Sequence, residues 1–127
     1  MLDESLAKLL KGMQSLDHVK AIIYKNNDFQ QLSLSALSPL LTRRKPNNLE
    51  ELRLVSCRIG GCITHGLIEE LLNGSNIKKL GLVQANMSSV SFKNLCLYVK
   101  KSRTLRELDL SYNEVPMRLM SQMIEVI

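Results

Sequence analysis

The chain has no tryptophan, and only three tyrosines and two phenylalanines among 127 residues. With aromatics at 4%, a compact core centred on aromatic rings is excluded, and the interior must be aliphatic. Three cysteines (Cys57, Cys62 and Cys96), odd in number and without a regular framework, argue against a disulfide-stapled scaffold. No apolar run reaches the roughly 18 residues that would suggest a membrane span. The opening Met1-Leu-Asp-Glu-Ser carries acidic residues where a secretory signal carries basic ones. These absences lead to the expectation of an intracellular chain without a membrane span. The length is that of one domain.

What is present is a repeat. Four copies of one pattern begin at 19, 49, 77 and 105, so successive steps are 30, 28 and 28 residues. They read Val19-x-x-Ile22-x-Tyr24-x-x-Asn27-x-Phe29, Leu49-x-x-Leu52-x-Leu54-x-x-Cys57-x-Ile59, Ile77-x-x-Leu80-x-Leu82-x-x-Ala85-x-Met87 and Leu105-x-x-Leu108-x-Leu110-x-x-Asn113-x-Val115. A fixed period in this range marks a solenoid whose units bury their apolar faces against their neighbours. Such a chain is usually a surface for holding something else.

Within each copy, positions four and six alternate with polar neighbours, which is the period of a half-buried strand. Beyond position eleven the spacing becomes helical. The second copy offers Leu67, Ile68, Leu71 and Leu72 to the core, with Glu69 and Glu70 outside. The third offers Phe92, Leu95, Cys96 and Val99, with Lys93, Lys100 and Lys101 outside. In the first, Leu37, Leu40 and Leu41 are apolar, Ser38 is the expected N-cap, and Pro39 is tolerated at a first helical position. Position nine falls where the chain leaves the strand and strands backbone groups inside. Asn27 and Asn113 can bond those groups, Cys57 more weakly and Ala85 not at all. The third repeat is therefore expected to have the least supported turn, or a water in the side chain's place.

These residues resemble a leucine-rich-repeat protein. The 28-residue step, the Asn or Cys at position nine and the full helix are similar to the ribonuclease-inhibitor-like class. The resemblance covers residues 19–127 as repeats, the last incomplete, with 1–18 resembling the helix of an earlier incomplete unit. It implies an α/β solenoid with a parallel four-stranded sheet on the concave side and helices on the convex side. Tyr24 at a leucine position, Gly81 inside a strand and Ala85 at position nine depart from the pattern. The class includes enzyme inhibitors, activators of small GTPases, immune sensors, actin-end caps, ubiquitin-ligase adaptors and ciliary scaffolds, so it specifies fold better than function. A cytoplasmic, cytoskeletal or ciliary setting is compatible with it.

The resemblance also directs the side chains at positions three, five, seven and eight to the concave face. The partner-binding candidates there are Ile23, Lys25, Arg53, Val55, Lys79, Val83, Asp109 and Tyr112. Ile23, Val55 and Val83 are expected to form an apolar stripe with Tyr112 at its edge, and Gly81 a shallow notch open to a close-approaching partner. Glu51, Lys79 and Glu107 alternate in charge down one column and are expected to pair with each other.

Both ends look unfinished. An apolar helix (Leu2, Leu6, Leu9, Leu10, Met13, Leu16) opens the chain and can cover the first strand. At the other end Met117, Leu119, Met120, Met123, Ile124, Val126 and Ile127 exceed what one buried helix face needs. Two readings stay open: a piece of a longer solenoid, or a face docking on another subunit through Met117, Met120, Met123, Ile124 and Ile127.

The net charge of +5 gathers at Arg43-Arg44-Lys45, Lys78-Lys79 and Lys100-Lys101-Ser102-Arg103. One reading is a patch for an acidic protein or nucleic acid; the simpler is a set of cations at helix C-termini, where the macrodipole favours them. Cys57-x4-Cys62-x2-His65 lacks the fourth ligand of a metal site. A cysteine nucleophile would need a base, and His18 sits in a different repeat with no supporting acid. Gly60-Gly61 lacks the lysine and hydroxyl residue of a phosphate loop. No catalytic, cofactor or metal residue is assigned. The expected role is a non-catalytic scaffold binding protein partners within a larger complex. One alternative is an enzyme regulator such as a GTPase activator, using Lys25, Arg53 or Lys79. The other, nucleic-acid binding, ranks last because aromatics are scarce.

Overall fold

A computed structural model describes residues 2–13, 19–41, 49–72 and 76–113. The 28- to 30-residue period becomes an alternation of helix and strand: α1 (Asp3–Met13), β1 (Ala21–Lys25), α2 (Gln31–Leu41), β2 (Glu51–Val55), α3 (Gly61–Leu72), β3 (Lys79–Val83), α4 (Ser89–Lys101) and β4 (Glu107–Asp109). The strands form one parallel sheet in chain order, β1-β2-β3-β4, with each helix packed on the next in a second layer. Ile22 pairs with Leu52 and Leu52 with Leu80, so equivalent repeat positions stand beside one another.

The alternation in the strands sorts the two faces. Ile22, Tyr24, Leu52, Leu54, Leu80 and Leu82 point into the core, where they meet Leu37, Leu67, Ile68, Phe92 and Leu95 from the helices. Tyr98, which helical spacing alone left unassigned, is also buried. In the fourth repeat the equivalent Leu105, Leu108 and Leu110 are only half-buried. That end of the core is the less covered of the two. At the other end α1 packs on α2 and buries Leu6, Ala7 and Leu10 in the same core as Ile22 and Tyr24 of β1. Leu2 and Leu9 remain exposed.

The first repeat differs from its expected cap. Its helix already runs from Gln31, so Ser38 and Pro39 lie near its end, and the Ser38 hydroxyl donates to Glu70 at 2.7 Å. The start of α2 is served instead from the preceding unit. Asp3 accepts from the Gln30 amide at 2.7 Å, Ser33 at 3.1 Å and Leu32 at 3.2 Å. A carboxylate here meets both the free amides and the positive end of the helix.

Position nine also works between units. The Asn113 amide nitrogen donates to Leu82 O at 2.6 Å, while its oxygen accepts from the Ala85 amide at 2.9 Å. Cys57 makes the equivalent long bond to Tyr24 O at 3.6 Å. The side chain at this position thus supports the turn of the repeat before it. The expectation for the third repeat is thereby corrected: its turn has Asn113, and the Ala85 carbonyl accepts from Thr64 at 2.6 Å. The side-chain support that Ala85 fails to supply belongs to the second repeat's turn, near Leu54 and Cys57.

Position eight shows a recurring backbone feature. Asn26, Ser56, Gln84 and Tyr112 have φ of 57°, 53°, 51° and 59°, all left-handed and none of them glycine. This twist turns the chain inward to position nine. It also lets the Asn26, Ser56 and Gln84 amides donate to the position-seven carbonyls of the next strand at 3.0–3.1 Å.

Candidate partner-binding surface

The outer sheet face is a lattice of rows fixed by strand register. The row at position three is Ala21, Glu51, Lys79 and Glu107; the row at position five is Ile23, Arg53, Gly81 and Asp109. The row at position seven holds Lys25, Val55 and Val83. Lys25 and Lys79 are exposed, Ile23 is 49% exposed, and Tyr112 projects at 86%.

This lattice breaks the expected apolar stripe. Val83 is buried and Val55 half-buried, while Ile23 stands in another row opposite Arg53. What remains is one exposed isoleucine near Lys25, with Tyr112 at the far side. The Gly81 notch is filled too. A Cβ placed on Gly81 would lie 3.1 Å from Arg53 Cγ, so the arginine side chain lies across this glycine. From there Arg53 donates to Glu51 at 2.5 Å and reaches Glu107 at 3.6 Å, spanning three strands. Hydrogen bonding to Glu51 raises its already high pKa, although burial opposes this, and Glu107 and Asp109 add to the rise.

The carboxylates expected to pair with Lys79 are therefore engaged by Arg53 instead. Lys79 takes part in neither ion pair. Asp109, half-buried, accepts from the Ser111 hydroxyl and amide; these bonds, aided by Arg53, hold its carboxyl below the usual range against the effect of burial. Sequence reading missed the Arg53 bridge. Its signal was Glu51 two residues before Arg53 on the same face, with a glycine in register on the next strand. A regulatory arginine reaching into another protein's nucleotide site would first have to leave both glutamates.

The other sequence candidates are scattered. Cys57 is buried with its thiol on Tyr24 O, whereas Cys62 is exposed on α3. His65 bonds Glu69 at 2.9 Å. Burial pushes the Cys96 thiol up, disfavouring the reactive thiolate. Among the described residues no three His, Cys, Asp or Glu side chains form a metal-holding group. No described helix is long and apolar enough to cross a membrane. His18, Arg43, Arg44, Lys45 and the apolar candidates Met117, Met120, Met123, Ile124 and Ile127 lie outside the described residues.

A parallel sheet backed by one helix per strand, with side-chain bonds repeating from unit to unit, defines an α/β solenoid. A leucine-rich-repeat family model matches residues 101–115, through the end of α4 and β4. Fold and match together support a leucine-rich-repeat solenoid, a fold that suggests a role in protein interaction. No curated protein matches the chain at a significant level.

Proposed function

We propose that the chain is a non-catalytic scaffold of the ribonuclease-inhibitor-like class, holding a protein partner on its outer sheet face. The observation that carries this reading is the display of Ile23, Lys25 and Lys79 on strands locked in register, with Tyr112 in the turn after β4, where ordering the strand surface is already complete before a partner arrives. The long helices of 11 to 13 residues in the repeats support the subclass. Free cysteines support an intracellular setting within a larger assembly. Capture of the partner from the native source tests the reading. Ile23→Arg and Tyr112→Ala should each reduce capture at least about tenfold, as loss of an apolar or aromatic anchor does; undiminished capture by both would contradict it.

A further inference from the structure

The outer face of α4 presents a second surface, on the opposite side of the molecule from the sheet face. Val90, Lys93, Leu97, Lys100 and Lys101 are all exposed and, at 3.6 residues per turn, lie on one side of the helix. Val90 and Leu97 are 60% and 47% exposed. Their seven-residue separation corresponds to about 10.5 Å along the axis, two helical turns. Phe92, Leu95 and Tyr98 occupy the opposite, buried side, so the exposed stripe is not part of the core.

Among the described residues, no carboxylate pairs with the cations of this face, Lys93, Lys100, Lys101 and the adjoining Arg103. The neighbouring outer-face carboxylates on α3 are engaged elsewhere: Glu69 with His65 and Glu70 with Ser38. Attraction of Lys100 and Lys101 to the helix C-terminus explains those two cations. It does not explain Lys93, two turns earlier, or the two exposed aliphatic side chains, Val90 and Leu97, on the same face. Arg103 is set by a bonded loop, in which Ser102 accepts from the Thr104 and Leu105 amides at 3.3 and 3.0 Å.

We propose that this face docks an acidic amphipathic helix of a partner protein, with aliphatic residues two turns apart seated on Val90 and Leu97 and carboxylates facing the lysines. Charge complementarity selects the acidic partner. The only exposed aromatic among the described residues, Tyr112, follows β4 and is not on α4, so bases would have no stacking platform there. Two aliphatic side chains are also far less apolar surface than a membrane-lying helix buries.

Fluorescence anisotropy with a labelled, helical glutamate- and leucine-rich peptide, its leucines two turns apart, tests the proposal on the full chain. The acidic peptide should bind saturably and lose affinity with salt. Combined Lys93→Glu, Lys100→Glu and Lys101→Glu should weaken it at least about tenfold, reversing three unpaired charges. Leu97→Ser should weaken it with the charge intact, and Ile23→Arg should leave it unchanged, separating this surface from the sheet face. Absence of saturable binding, indifference to both α4 variants, or tighter binding of single-stranded RNA or phosphatidylserine vesicles than of the peptide would overturn the proposal.

Discussion

Asn113 satisfies two neighbouring backbone groups at once, the Leu82 carbonyl and the Ala85 amide. Asn113→Ala should therefore lower stability by about 1–3 kcal/mol, as for a buried polar group stripped of its partner, measurable by urea unfolding. Tyr24 is the reverse case, since its hydroxyl is buried without a partner among the described residues. Tyr24→Phe should raise stability by about 1 kcal/mol. Burial also raises the Tyr24 pKa above its ordinary 10.0. The fold thus favours the neutral phenol, and stability present below pH 10 is lost as the pH rises through the raised value. The advantage of Tyr24→Phe should grow in that alkaline range; a constant difference would contradict it. The sequence showed which residue types occupy position nine, but not that they serve the preceding repeat. That direction depends on how one unit is stacked on another. The buried Tyr24 hydroxyl was visible only as a departure at a leucine position.

At the scale of elements, the strands were legible because alternating burial leaves a two-residue period, and α3 and α4 because their apolar faces recur every three to four residues. The start of α2 was not. Ser38-Pro39 carries the local signature of a helix beginning, yet the helix begins at Gln31 because Asp3, 27 residues before Gln30, accepts the amides at its start. A cap supplied by another unit leaves no local pattern. Asp3→Ala should cost about 1 kcal/mol, the usual loss of a helix cap. Burial raises the Asp3 carboxyl, but bonds from Ser33, Gln30 and Leu32 lower it further, leaving it below its ordinary 3.8. Its contribution is thus full above about pH 4 and lost as the pH falls through the lowered folded value. The gap between wild type and Asp3→Ala in thermal unfolding should close on acidification; a gap unchanged at low pH would assign the effect to something other than the carboxylate.

For the whole molecule, stability is shared between nearest neighbours, as in any stacked array. The core leucines of β2 and β3 are buried, while Leu105, Leu108 and Leu110 around β4 are half-covered. Amide hydrogen exchange should accordingly be slowest in β2 and β3 and faster in β4; equal protection across all four strands would contradict this gradient. The repeat period made the solenoid readable from sequence, because every unit solves the same packing problem. The binding face was less readable. Periodicity assigns a side chain to a face, but the filling of the Gly81 notch by Arg53 and the burial of Val83 arise from neighbours about 28 residues away. The proposed role places a protein partner on the ordered outer sheet face. Crosslinking with mass spectrometry on the chain captured from its native source tests it most directly. The expected result is crosslinks from Lys25 and Lys79 to one abundant protein. Crosslinks confined to Lys8, Lys11 and the C-terminal flank would contradict it and place binding at the ends of the solenoid.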